Sequence, residues 1–392
     1  MTTPKHELTL LTLIGLAATS ALGSIAIHMM VPALPAIASD FEASPDNVQL
    51  AVSLYLLCLG AGQLLGGAAS DTLGKRLTLG IAVCVFFLGA LGVAISQNVG
   101  QLISARCIQA LGGGASIIAT RTLVAERSKD GEVAGRIAVM TSIVLLSPAV
   151  SPFLGGLIVS FGSWRVIFYL LTIIAALSAL FVIRLNDPSQ RATSGRLAVL
   201  GGNYSRVARS LGFWRLAIAI ACASAGMYVF LSGSSFLLIE QYGLSPDQAG
   251  FGYLLVAASG ICGTFLVKRL ERGPGAFRTG QKVSCAGAFL LLLSALSGFE
   301  NGYGLIAPML VVGVGVGMSA PAGFAAVLKT VKGAEGASSS LAGAFQMLLS
   351  GLAATLIAKA GVSDLLSLAS VILGILACGL LVAPARRSAR QN

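Results

Sequence analysis

Long apolar stretches punctuated by short polar ones dominate this chain. Twelve stretches run essentially without Asp, Glu, Lys or Arg: 8–39, 47–70, 77–96, 98–120, 137–164, 166–183, 216–239, 248–267, 283–299, 301–328, 336–358 and 365–385, the fourth interrupted only by Arg106. A membrane-crossing helix needs about 20 mostly apolar residues, so each stretch predicts one span. No stretch alternates apolar and polar residues with the period of a barrel strand, so the spans are read as helices. Between the third and fourth stretches, Ser96-Gln97-Asn98 and Gly100 predict a turn. The first stretch is too long for a signal-peptide core and carries Pro32 and Pro35 at its far end, so it reads as a retained helix.

Composition agrees. Of 392 residues, 56% are hydrophobic and 10% charged, with a mean hydropathy of +0.87. A soluble domain carries roughly 25% charged residues, so a cytosolic enzyme or a DNA-binding protein is excluded. The 48 Gly and 12 Pro suit membrane helices better than soluble ones. A net charge of +11 suggests nucleic acid until the charges are placed. With the N-terminus inside, 23 of the 26 basic residues fall on one side, Arg165 and Lys359 on the other, and Arg106 within the membrane. That asymmetry puts both termini in the cytoplasm and makes the bilayer, not nucleic acid, the partner. All seven Cys lie in predicted spans without a Cys-x-x-Cys spacing, so neither a disulfide framework nor a metal site is expected.

The chain also repeats itself. Ser44-Pro45-Asp46-Asn47 opens the second span and Ser245-Pro246-Asp247-Gln248 the eighth, each reading as Ser N-cap, Pro at the first helical position and Asp in the first turn. Gly67-x-x-x-Asp71-x-x-Gly74-Lys75-Arg76 follows the second span, and Gly263-x-x-x-Val267-Lys268-Arg269 follows the eighth. A duplication of six spans is expected: an N-terminal half over 1–184, a cytoplasmic linker over 185–212 and a C-terminal half over 213–392. The Arg-rich linker suits an amphipathic helix lying on anionic lipid.

Two six-span halves around a midplane site describe an all-α membrane protein of major facilitator architecture, and particular motifs carry the resemblance. The Gly67–Arg76 element resembles the superfamily signature between spans two and three. Leu102-x-x-x-Arg106-x-x-Gln109-x-x-Gly112 looks like its span-four motif. Ser151-Pro152-Phe153-Leu154-Gly155-Gly156 resembles the span-five motif of drug:proton antiporters, with Ser where Gly usually stands. Val31-Pro32-Ala33-Leu34-Pro35, Trp164-Arg165-x-x-Phe168, Leu231-Ser232-Gly233-Ser234-Ser235-Phe236 and Glu240-x-Tyr242-Gly243-Leu244-Ser245 are similar to the bicyclomycin-resistance branch of multidrug exporters. The resemblance implies proton-driven export of small amphipathic compounds, including antibiotics, by a monomer in the bacterial inner membrane. It also implies a conformational latch of Gly67, Asp71, Gly74, Lys75 and Arg76; the second-half copy, with Val267 in place of the acid, would be no charge latch.

Several residues are candidates for the chemistry. A cation as deep as Arg106 costs at least ~2.5 kcal/mol on insertion scales. It either tunes proton coupling, binds substrate, or snorkels to the outer face; Gln109 shares its helix face. Where related exporters carry an acid in the first span, this chain has His28-Met29-Met30-Val31-Pro32. No acid occupies mid-span; Glu126 and Glu240 come nearest, at span ends, and are further candidates for proton coupling. His titrates near 6.5, so His28 is read either as the proton carrier or as a neutral, hydrogen-bonded cavity residue. If Arg106 stands near His28, the two form a coupled pair. His28, Met29, Tyr55, Arg106, Gln109, Tyr228, Ser232, Tyr253 and Gln346, with Gln63 and Ser350, are the polar and aromatic candidates for a substrate cavity. Pro148, Ser151, Pro152, Gly155 and Gly156 predict a bent span five that either blocks leakage or simply packs. Gly313-x-Gly315-x-Gly317 lies inside a span and the chain has no Walker Lys, so no nucleotide cofactor is expected. A proton-coupled importer or facilitator of a nutrient or siderophore, and a non-transporting receptor or scaffold, are the alternatives at this point.

Overall fold

A computed structural model describes residues 9–128, 133–185, 204–270, 275–331, 334–360 and 364–384. Twelve long helices run through them: α1 Leu10–Asp40 and α7 Leu211–Gln241; α2 Pro45–Thr72, α3 Lys75–Ala94, α4 Val99–Arg127, α5 Val133–Phe161, α6 Arg165–Arg184, α8 Pro246–Leu270, α9 Ala276–Leu296, α10 Gly302–Leu328, α11 Glu335–Lys359 and α12 Leu365–Val382. Eleven are long and apolar enough to cross a membrane, and the Ser147–Phe161 part of α5 forms a shorter apolar helix. The predicted linker lies mostly outside the described residues.

Local chemistry sets the helix ends. Asn98 accepts from Gln101 N at 2.9 Å, Asn301 from Gly304 N at 2.9 Å and Asp364 from Ser367 N at 2.8 Å, each satisfying a donor that the first turn leaves without a partner. Two sequence expectations need correction. Ser44 occupies the N-cap of α2, but its side chain makes no capping bond; Pro45 at the first helical position has no N–H to lose there. Gly100 lies inside α4 rather than in the turn, because Asn98 has already started the helix. Charge-free counting also clips α9, which begins at Ala276 and carries Arg278 and Lys282 in its first turns. In α1, Pro32 and Pro35 remove backbone donors, and the ladder tightens to a 3-10 turn at Val31–Ala33 before resuming.

Within each half, small residues let helices approach backbone to backbone. A Cβ on Gly114 of α4 would stand 2.1 Å from Leu59 O of α2, and one on Gly317 of α10 would stand 1.9 Å from Gly260 O of α8. The same device therefore closes α2 on α4 and α8 on α10.

The two halves meet unequally at their two ends. Towards the Pro45 and Pro246 end their apolar cores interlock: Val31 of α1 is buried in the C-terminal cluster, and Phe236 of α7 in the N-terminal one. Towards the Lys75 and Lys329 end the cores are separate. Leu13, Leu79, Leu123 and Val182 gather in one cluster, and Phe213, Ile220, Val327 and Ala337 in another. The molecule is thus joined across its halves at the Pro45/Pro246 end.

Candidate functional site

The halves are joined by α2 against α11, where a Cβ on Gly351 would lie 2.8 Å from Ser53 O and one on Gly60 3.0 Å from Ala344 O, and by α5 against α8. Gly155 and Gly156 are neighbours in sequence but face different partners. A Cβ on Gly155 would lie 2.0 Å from Met29 O of α1, within the same half; one on Gly156 would lie 2.3 Å from Pro246 O of α8, in the other half. Gly250 returns the contact, its Cβ position 2.7 Å from Pro152 O, and the Phe153 and Phe251 rings meet edge-on at 6.3 Å. Ser160 Oγ donates to Asp247 Oδ1 at 2.8 Å and accepts from Asp247 N at 3.2 Å. Ser235 of α7 donates to Val31 O at 2.7 Å. Pro148 and Pro152 both lie inside the helix.

His28 stands just beneath this seam, one residue before Met29. It is buried, its Nδ1 lies 2.6 Å from Ser24 O, and its ring faces Tyr228 of the other half at 5.9 Å. A carbonyl oxygen only accepts, so Nδ1 carries a proton, and in the neutral ring Nε2 keeps the lone pair. Ser147 of α5 donates to Ser24 Oγ at 2.6 Å, bringing α5 to the turn that holds the imidazole. Gln346 of α11 donates to Ser224 of α7, and Ser350 donates to Gln346 O at 2.7 Å. Tyr228 and Gln346 are half-buried.

Arg106 does not snorkel; it is fully buried. Its Nη1 donates to Gln109 Oε1 at 2.7 Å and to Ala26 O at 3.3 Å. Its guanidinium carbon lies 3.8 Å from the Tyr55 ring centre and 5.7 Å from that of Phe168. Tyr55 in turn donates to Gly23 O at 2.9 Å. Arg106 and His28 do not pair directly. Ala26 and His28 are two residues apart on one helix, so they face roughly opposite sides, Ala26 towards α4 and His28 towards α5 and α7.

Other candidates fall elsewhere. Tyr253 is buried in the C-terminal core, its hydroxyl 3.0 Å from Ser234 Oγ. Ser232 donates to Val229 O of its own helix. Glu240 is exposed on a π-helical turn. Glu126 pairs with Lys75 at 2.5 Å on the surface, at the latch rather than near the centre. Arg76 donates to Val182 O at 3.3 Å and Ile183 O at 2.5 Å, so Lys75 and Arg76 clasp the ends of α4 and α6. Gly74 adopts φ 90 at the start of α3, a conformation that favours glycine. Gly67 is not where α2 approaches its neighbour, since its Cβ would meet nothing closer than Tyr204 Oη at 3.8 Å. That role belongs to Gly66, 2.5 Å from Ala115 Cα. Asp71 lies in the last turn of α2; its side chain is outside the described residues. Among the described residues no three His, Cys, Asp or Glu side chains gather as a metal site would require.

Sequence reading missed Ser24 and Ser160, and Ser235 figured only as a letter of the Leu231–Phe236 motif. A serine carries no signal of a partner 87 or 204 residues away.

The sequence profile of the Major Facilitator Superfamily matches residues 16–354. A chloramphenicol resistance protein of Pseudomonas aeruginosa is 30% identical over 75% of this chain and 71% of its own. Multidrug resistance protein D of Escherichia coli is 24% identical over 86% of this chain and 85% of its own. A bicyclomycin resistance protein homolog of Haemophilus influenzae is 25% identical over 74% and 75%. Among solved structures, a D-xylose–proton symporter superposes with a TM-score of 0.75 at 16% identity, over 96% of this chain and 99% of its own; that likeness concerns the fold alone.

Proposed function

As the chain belongs to the Major Facilitator Superfamily, we propose that it exports small amphipathic compounds across a bacterial inner membrane in exchange for protons, by alternating access. The halves are 1–184 and 213–392, joined through 185–212. The protein works as a monomer, with both termini and the Lys75/Lys329 end in the cytoplasm. The described conformation is then the one shut to the outside. Relatives named for chloramphenicol, bicyclomycin and multidrug resistance support this substrate class.

One observation carries the reading. His28 is a titratable group at the meeting of both halves, its tautomer set by Ser24 O and its ring against Tyr228. Nε2 is the proton-accepting atom. Opening the seam gives Nε2 to outside water, where it loads a proton; closing the seam and parting the cytoplasmic end lets it release. Each step drives export only if it occurs in a single conformation. Met29, Tyr228, Ser232 and Gln346 line the substrate path, while Tyr55, Arg106, Gln109 and Tyr253 shape it from within each half. Gly67, Asp71, Gly74, Lys75 and Arg76 act as the cytoplasmic latch. Span five, with Pro148, Ser151, Pro152, Gly155 and Gly156, is the outer gate.

The test is efflux from reconstituted vesicles under an imposed pH gradient, with chloramphenicol and bicyclomycin as probes. Gradient-driven efflux of either, reversing when the gradient is reversed, is the expected result. Uptake coupled to inward proton flow would instead identify an importer.

A further inference from the structure

The guanidinium of Arg106 is only half used. Nη1 gives its hydrogens to Gln109 Oε1 and Ala26 O. Nε and Nη2 find no acceptor among the described residues, and neither does the neighbouring Gln109 Nε2. All three are buried donors. Nε and Nη2 form one edge of the planar guanidinium, the fork that grips an oxyanion or a halide through two parallel N–H bonds. The Tyr55 ring covers a face of the group. It attracts the cation but accepts nothing in the plane of the fork. Lys75 pairs with Glu126 and Arg165 with Asp40, and Arg106 joins neither of these ion pairs. A full positive charge with several unpaired donors, held away from water, draws an anionic acceptor.

We propose that the Nε/Nη2 edge of Arg106, together with Gln109 Nε2, binds a small monovalent anion inside the N-terminal half. The anion comes either from solution as a halide or from a transported compound as its carboxylate. The site stands on the geometry of Arg106 and does not depend on the direction or drive of transport.

The experiment measures thermal unfolding of the purified full-length protein in lipid nanodiscs at constant ionic strength, titrating chloride, benzoate or sulfate. A ligand that binds only the folded state raises Tm saturably. Chloride or benzoate should do so by roughly 3 °C or more, and sulfate, divalent and strongly hydrated, should not. A response to chloride identifies a free halide as the source, and one to benzoate alone identifies a carboxylate. Gln109→Glu places a carboxylate beside the guanidinium without changing side-chain length. It should abolish the anion response and raise Tm in sulfate. Indifference of the natural protein to both monovalent anions, or an anion response that survives in Gln109→Glu, would overturn the proposal.

Discussion

Adding one methyl group to Gly156 separates gate from scaffold. In Gly156→Ala the new Cβ would lie 2.3 Å from Pro246 O, 2.9 Å from Pro246 C and 3.0 Å from Asp247 Cα. A relaxed C···O contact is about 3.3 Å or more, so the seam must part by about 1 Å. Overpacking of this kind costs ~1–3 kcal/mol, but only while the two halves are joined. Spread over a two-state equilibrium, that penalty favours the parted state about 5- to 150-fold. Gly155→Ala puts its Cβ 2.0 Å from Met29 O, a contact inside one half that persists in every state. It should therefore lower Tm by several degrees without shifting the equilibrium. Helix propensity favours Ala over Gly by about 1 kcal/mol in both variants, so Gly156→Ala should unfold close to the parent temperature. The reporter is Val31→Cys, fully buried in the seam, in a background without the seven native cysteines. Labelling by a membrane-impermeant maleimide should quicken at least ~5-fold in Gly156→Ala and stay unchanged in Gly155→Ala. Equal rates in the parent and Gly156→Ala, or the same acceleration in both variants, would mean that the glycine seam is not the moving contact.

Four further outcomes follow from the same geometry. In reconstituted vesicles, His28→Ala should lose gradient-driven efflux but keep substrate exchange, and His28→Asp should recover part of the drive. Glu126→Gln breaks only an exposed ion pair, so efflux should persist with a stability change within ~0.5 kcal/mol, whereas Asp71→Asn should slow transport at unchanged protein level. Tyr55→Phe removes the hydroxyl bond to Gly23 O and should cost about 1 kcal/mol by denaturant unfolding. Asp364 caps α12, and hydrogen bonds from the Ser367 hydroxyl and N–H hold its carboxyl below the usual carboxylate range. Because its folded pKa is depressed, its contribution is present above the unfolded value and fades as pH falls through the folded one. Asp364→Ala should cost about 1 kcal/mol at neutral pH, with the difference shrinking in acid.

Spans were legible because lipid demands uninterrupted apolar helices and prolines and asparagines mark their starts. Pro45, Pro246 and Asn98 each sit where the sequence suggests a helix begins. Charge-free counting misplaced the start of α9, because Arg278 and Lys282 belong to the helix at its polar end. Arg106 announced itself as a cation in a span, yet its partners Ala26 O and Tyr55 lie 80 and 51 positions away along the chain, and no spacing rule connects them. Span five was recognisable from Pro148 and Pro152, but not that its adjacent glycines touch different halves. That follows from the 100° turn between successive helical residues once both neighbours are in place. Gly67 stood out by motif while Gly66 makes the close approach, since a pattern of letters does not report which face is packed.

The glycine seam also decides which mutations this protein can accumulate. Glycine has the smallest side chain, so every replacement at Gly156 or Gly250 adds volume where a Cβ already falls 2.3–2.7 Å from a backbone oxygen of the other half. Such a contact has no smaller alternative and no flexible neighbour to yield, so single changes there push only towards loosening. On the proposed function, selection for a new range of exported compounds would work instead through half-buried positions such as Tyr228 and Gln346. Their side chains can shrink, grow or change polarity without prying the halves apart. Under that proposal, change is accommodated at the proposed lining while the glycine contacts between the halves stay fixed.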